Sequence, residues 1–453
     1  MEMVGIAPEV VARVERETSE LLCDLIRIDT SNPPGNETAV ATYLDQYFRR
    51  LGLQGEIVGE PAGRRSFVVT LPGTRPGPRL ALMAHEDVVP ADGEWQEPPF
   101  GGVVKDGYVW GRGAVDVKNL LAAFCVVLRR LVEGGSDFAG EVVFVAEADE
   151  EDGAIGGARW LVTQRPDLVR CDYLLNEGGG EFSLLPGGER LYELHVGEKG
   201  TAQFRVIVHG DSGHASVPLR HGNAVVGAAD VVRALHDYQP QVSLETVPPE
   251  YVELLVGDPA LCARLLDEAE AAVALAELGE RDRHAHDLLA PLYGLTFSPT
   301  ILASSGEAVN VFPESAVVTV DCRMPVGWDQ DRVAAEIDTA LAGVDARWSI
   351  EWIGTVEGNA SPADTPMRSA IAAVATRLVP GARVVALHSA GFTDANWFRA
   401  AFPDMVAYNF SPYLVDDVQA TSPRFHNVDE RIAVRDLAFQ SVFAYELVRE
   451  LLR

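Results

Sequence analysis

Short apolar runs rich in Val, Leu and Phe alternate with segments whose apolar residues recur at helical spacing, the pattern of strands covered by helices on both faces. Residues 67–71, 79–84, 141–146 and 172–175 read as strands, and residues 8–28, 37–51, 117–131 and 434–452 as helices. The rhythm changes near Thr201. A strand at 201–208, a helix at 223–235, a strand near Thr300, a strand at 315–322, a helix at 329–341 and a strand at 346–353 follow in turn. That order is β-α-β-β-α-β, a split-βαβ or ferredoxin-like module. Residues 240–295 read as a largely helical insertion within it, with 261–278 as the clearest helix. From about Ser361 the α/β character returns. The expected fold is therefore a three-layer α/β domain with a central mixed sheet, built from residues 1–200 and 356–453, interrupted by the smaller domain at 201–355.

Composition narrows the possible partners. Against 37 basic residues stand 67 acidic ones, a formal net charge of −30. Such a surface repels phosphate backbones and anionic lipid, so neither nucleic acid nor a membrane is expected as partner. The acidity reads either as a solvated surface or as a field that draws cations. The cysteines, Cys23, Cys125, Cys171, Cys262 and Cys322, are odd in number, far apart and each beside apolar residues. They read as small buried hydrophobes in a reducing compartment. The first residues lack a basic segment followed by an apolar core, and no stretch reaches the ~18 apolar residues a membrane span requires. A cytoplasmic protein is expected.

Several polar groups stand just past apolar strands, where α/β sheets place their sites. His85-Glu86-Asp87 follows one; the i, i+2 spacing leaves His85 free to bind a metal with Asp87 beside it as an orienting carboxylate, or else a surface His–Asp pair. In Gly111-Arg112-Gly113-Ala114-Val115-Asp116-Val117-Lys118, Asp116 stands at the mouth of a helix, where it is a site residue or a plain N-cap. Glu147, Asp149, Glu150, Glu151 and Asp152 crowd the end of the next strand, a charge density costly to bury without a cation but unremarkable in a solvated turn. Glu177, in Asn176-Glu177-Gly178-Gly179-Gly180, follows another strand, and His426 lies in a late loop before the last helix. Two histidines and several carboxylates suit a pair of divalent ions sharing a bridging carboxylate. Borderline-soft zinc is the first expectation, two Zn²⁺ per chain, with Co²⁺ or Mn²⁺ as alternatives.

The chain resembles the zinc peptidases that include acetylornithine deacetylase, succinyl-diaminopimelate desuccinylase, carboxypeptidase G and aminoacylase. The likeness runs through His85-Glu86-Asp87, the 111–118 segment, Asp149-Glu150-Glu151-Asp152-Gly153 with Gly156, and Gly213-His214-Ala215-Ser216. The resemblance implies a hydrolase of amide or peptide bonds acting through a water that bridges two zinc ions. It implies Asp116 as the bridge, His85 and Glu177 on one metal, and Glu151 and His426 on the other. It further implies that Glu150 is the general base, that Asp87 orients His85, and that His214 donates to the tetrahedral oxyanion. Arg323, Asn310 and Gly391 match substrate-contacting positions, Arg323 as a bidentate carboxylate clamp. In such relatives the small domain is a lid that often forms a homodimer interface and lends its histidine to the neighbouring subunit. One departure is Asn396, where relatives often carry arginine; it weakens a second carboxylate clamp. The Asn-Glu-Gly-Gly-Gly form leans toward the carboxypeptidase and amidohydrolase branch.

The resulting expectation is an N-acyl amino acid deacylase or a carboxypeptidase or dipeptidase acting on a small-molecule N-acyl amino acid or short peptide. A two-metal aminopeptidase would need an acidic pocket for a free α-amine. A non-catalytic relative would bind a ligand or partner and hydrolyse nothing.

Overall fold

The computed structural model describes residues 3–217 and 221–453. The chain divides into two units: the chain up to Val196, Ser361–Leu387 and Thr393–Arg453 form the first, and Gly197–Ala360 with His388–Phe392 the second.

In the first unit the strands run in the order Glu56–Val58, Ser66–Pro72, Ala139–Glu147, Arg75–His85, Tyr173–Asn176, Val406–Asn409 and Arg190–Glu198. The four strands from Ala139–Glu147 to Val406–Asn409 are mutually parallel, while Ser66–Pro72 joins Ala139–Glu147 antiparallel, so the sheet is mixed. Side chains of a strand alternate between faces, and here both faces are covered, which is why the inner strands read as unbroken apolar runs. Leu80, Leu82, Ala84, Val142, Phe144 and Ala146 pack with residues of helices Pro8–Ile26, Glu37–Arg50, Lys118–Glu133, Pro366–Leu378 and Val434–Leu451. Ala81, Met83, Val143 and Val145 pack the other way, with helices Ala158–Gln164 and Ala395–Ala401. The result is the three-layer arrangement that the sequence pattern predicts.

In the second unit the strands Thr296–Ser304, Ser315–Met324, Gly200–His209 and Arg347–Val356 lie side by side, every neighbour antiparallel. Numbered along the chain, that is order 2-3-1-4, the split-βαβ topology. Phe204, Val206, Val208, Val318 and Val320 turn toward helices Ala224–Asp237 and Gln330–Leu341, burying Ala228, Val231, Val333 and Ile337. Asp329 caps the second of these helices by accepting from the Arg332 amide at 2.9 Å.

The insertion is helical, but residues 261–278 are not one helix. Pro259–Leu265 ends at Leu266, and a new helix, Ala271–Arg281, begins after a turn. Asp267 breaks it: its carboxylate accepts from the Ala269 amide at 2.9 Å, a local bond that competes with the helical ladder. The apolar periodicity survives the break, since Leu261, Leu265, Ala274 and Leu278 are all buried. All five cysteines are free and buried. Among the described residues no helix is long and apolar enough to cross a membrane.

Candidate metal centre

The parallel strands end together at one edge of the sheet. His85 closes its strand opposite Glu147, which closes the next, and Asn176 ends opposite Asn409. Glu177 follows Asn176 directly, and Glu150 and Glu151 lie in the single 3₁₀ turn Glu150–Asp152 just beyond Glu147. Asp116 stands ahead of helix Lys118–Glu133. That helix has Val117 at its cap and no side-chain cap bond, so Asp116 is not spent as an N-cap.

Asp116 faces two histidines with its two oxygens. Its Oδ1 lies 3.1 Å from His85 Nε2, and its Oδ2 lies 3.0 Å from His426 Nε2. Glu177 Oε2 is 3.4 Å from His85 Nε2, and Glu151 Oε2 is 3.3 Å from His426 Nε2. His85, Asp116 and Glu151 offer ligand atoms all within 4.8 Å of one another, as do His85, Glu150 and Glu177. The structure thus brings together His85, Asp116, Glu150, Glu151, Glu177 and His426, all from the first unit.

Asp87 does more than stand beside His85. The imidazole Nδ1 is 2.9 Å from the Asp87 backbone oxygen and 3.5 Å from its carboxylate. The carboxylate itself accepts from the Glu150 and Glu151 amides, at 3.2 and 3.1 Å, so one fully buried side chain pins the turn carrying both glutamates. Asn32 completes the holding network, donating to Asp87 at 2.8 Å and to Asp149 at 3.2 Å. Asp149 pairs with Arg64 and accepts from the Gly156 amide at 2.8 Å, turning away from the histidines. Asp152 is exposed. Asn32 and Arg64 escape a reading of the sequence because nothing in their local pattern marks them; only contacts across the fold do. Two glycines are required here. Gly179 has φ +64°, and a Cβ there would come within 2.7 Å of the Asn409 oxygen; Gly111 has φ +147°, with Ile26 Cγ2 at 2.6 Å from such a Cβ. Lys118 donates to the Leu25 and Ile28 carbonyls at 3.1 and 2.7 Å, anchoring the end of the first helix.

The electrostatics call for positive charge. Burial alone would lower the His85 pKa, yet Glu177, Asp116 and Asp87 hold it well above the ordinary imidazole value. Hydrogen bonds to Asp116 and Glu151 raise His426 to about 10. Burial, with Glu177 next, holds the Glu150 carboxyl well above the usual range. Glu147 is driven up the same way, and neither of its buried oxygens, nor Glu151 Oε1, has a hydrogen-bond partner. Packed carboxylates with orphaned oxygens beside two imidazoles are costly unless cations neutralise them. The mixed nitrogen and oxygen donors fit a borderline divalent ion.

The remaining sequence candidates belong to the second unit. His214 is exposed, on the two-residue strand Gly213–His214, opposite Val311. Its Nδ1 accepts from the Ser216 amide at 3.1 Å. Asn310 is its neighbour, its backbone oxygen accepting from Ala215 at 2.9 Å. Arg323, at the end of strand Ser315–Met324, is paired with Asp321, Nε to Oδ1 at 2.7 Å. Gly391 lies in the 388–392 segment, its amide donating to Ser389 Oγ at 3.0 Å.

Histidines and carboxylates gathered at the carboxyl ends of a doubly covered mixed sheet make a site suited to metal-assisted chemistry. The chain belongs to the peptidase family M20/M25/M40, whose model matches residues 81–450. It is 28% identical over 374 residues to succinyl-diaminopimelate desuccinylase of Methylorubrum extorquens (strain PA1), covering 80% of this chain and 80% of that one. It is 26% identical over 465 residues to the human N-fatty-acyl-amino acid synthase/hydrolase PM20D1, covering 95% of this chain and 87% of the relative. Among solved structures it is similar to an M20 family metallo-carboxypeptidase of Sulfolobus solfataricus, with TM-score 0.74 at 18% identity, over 96% of this chain and 99% of that one. That likeness concerns the fold.

Proposed function

We propose that the chain hydrolyses the amide bond of an N-acyl amino acid or small peptide, with two divalent cations, zinc by preference, held at the first unit's strand ends. His85 and Glu177 would hold one ion, Glu151 and His426 the other, and Asp116 would be shared. The observation that carries this reading is the pair of distances at Asp116, 3.1 Å to His85 and 3.0 Å to His426, one from each carboxylate oxygen. Bound there, such ions would lower the pKa of the attacking water and polarise the scissile carbonyl.

Glu150, although within reach of His85 and Glu177, would hold no ion in this reading and would act as the general base. One of its oxygens takes a proton from the attacking water and returns it to the leaving nitrogen, so the C–N bond breaks to a carboxylate and an amine. Asp87 keeps Glu150 and Glu151 in place through their amides. For His214 we propose donation to the oxyanion, and for Arg323, Asn310 and Gly391 contact with substrate, in a homodimeric cytoplasmic enzyme. An acyl group on an amino acid is favoured as substrate by the names of the two sequence relatives.

The test is a panel of N-acyl amino acids and free or acetylated dipeptides offered to zinc- or cobalt-loaded protein, with elemental analysis in parallel. Turnover of an acylated substrate with about two ions bound per chain is expected. Stable binding of the ions with no hydrolysis anywhere on the panel would reject the assignment.

A further inference from the structure

Arg112 and Glu430 have no part in the chemistry above, yet they form a buried ion pair against the Asp116 backbone. Arg112 is 2% exposed and Glu430 fully buried. Arg112 Nη1 donates to Glu430 Oε2 at 2.7 Å, and Trp95 covers the guanidinium with its ring centroid 5.1 Å away. The other oxygen, Oε1, accepts from two consecutive amides, Val115 at 2.7 Å and Asp116 at 3.2 Å. The Glu430 backbone oxygen accepts from Gly111 at 3.0 Å, closing a second link between the same two loops. One loop ends in Asp116; the other carries His426, four positions before Glu430 in the chain.

The cost of this arrangement points to its role. An ion pair buried this completely gains little net stability over apolar residues of the same volume. What it supplies is direction: Glu430 is held by one guanidinium N–H while the other arm of the guanidinium donates to the Pro90 carbonyl at 3.3 Å, and Glu430 fixes in turn the peptide from which the Asp116 side chain springs. A carboxylate shared between two ions must present its two oxygens at once, so a small rotation of that peptide would favour one ion over the other.

We propose that Glu430, clamped by Arg112, is a positioning residue that sets the orientation of Asp116 and thereby couples occupancy of the two cation positions. This rests on the reading of Asp116 as the shared ligand. Groups that orient metal ligands from behind change metal affinity or activity by roughly 10–100-fold when lost.

The test uses the full chain loaded with Co²⁺, whose visible absorption reports ligand geometry, together with calorimetric titration by Co²⁺ alone. Glu430→Gln keeps an acceptor for the amides but turns an NH₂ group on Arg112. It is expected to weaken the second Co²⁺ step at least ~10-fold, to shift the visible band, and to lower kcat with KM within about twofold. Should Glu430→Gln not fold, Arg112→Lys removes the guanidinium N–H from Glu430 while leaving Glu430 on the amides, and the same readouts are expected to move by a smaller amount. A lowered melting temperature with unchanged Co²⁺ steps and spectrum, in whichever variant folds, would overturn the positioning role and leave the metal centre standing. Failure of the unmodified chain to take up Co²⁺ at all would overturn both.

Discussion

His426 Nε2 meets Asp116 Oδ2 at 3.0 Å, from a backbone held in the left-handed region at φ +54°. A non-glycine residue adopts that conformation only where its surroundings enforce it. Here the enforcement comes from both sides, since Asn427 donates from its side chain to the Pro423 oxygen at 3.1 Å and Glu430 is locked against Arg112. The ring of a half-exposed histidine is thereby aimed at a buried carboxylate.

Removing the proton carrier separates chemistry from binding. Glu150→Gln should retain the bound cations while kcat falls roughly 10²–10⁴-fold, the usual contribution of a general base. Metal analysis and initial rates on the same preparation check it, and near-normal turnover would remove Glu150 from its role.

Cation removal should cost stability as well as activity. With the carboxylates of Asp116, Glu147, Glu150, Glu151 and Glu177 crowded together, chelation leaves repulsion that only protons relieve. At a thousandfold excess of cation over Kd, binding stabilises by about 4 kcal/mol, so chelated protein should melt several degrees lower and recover on adding zinc. Identical calorimetric traces with and without chelator would argue against any cation at this position.

Asp87 should be more damaging to lose than a residue that only faces His85. Asp87→Ala strands the Glu150 and Glu151 amides, at roughly 1–3 kcal/mol for each buried group left unpaired, and leaves Asn32 only its bond to Asp149. Asp87→Asn keeps an acceptor and should lose less. Urea midpoints for the two variants decide the order, and equal losses would show that the amide contacts carry no weight.

A pH effect is expected away from the centre. Burial pushes Asp436 up to about 6, against the pull of the Leu414, Val415 and Asp416 amides that it accepts. Because its folded pKa is raised, the proton is held more tightly in the folded state. The stability it contributes is complete below the unfolded value and drains away as pH rises through about 6. Asp436→Asn should therefore lower stability by an offset and abolish that component. Denaturation of both proteins across pH 4–7 should show the gap between them narrowing as pH rises; a constant gap would refute the raised pKa.

Much of the architecture is written locally. Alternation within 315–324 and the unbroken apolar runs at 79–84 and 141–146 state which residues must be buried and on how many faces, because side-chain period depends only on backbone geometry. The chemistry-bearing residues are legible as an inventory for a related reason: charges set directly after an apolar strand are conspicuous. Which of those charges converge is another matter. From Glu147 to Asp152 the sequence offers five carboxylates alike. The fold sends Asp149 to Arg64, leaves Asp152 in solvent, buries Glu147 without a partner and turns Glu150 and Glu151 inward on the Asp87 carboxylate.

By itself, then, the sequence determined the layers, the order of strands and helices along the chain, and the set of groups able to hold cations, since each depends on neighbours a few positions away. Tertiary structure alone decided that Asp116 faces His85 and His426 at once, that Arg112 closes on Glu430, and that Asp267 divides a helix whose apolar rhythm runs straight through. Those outcomes turn on bonds between distant segments or on a single side chain competing with the backbone, and no local periodicity carries information about either.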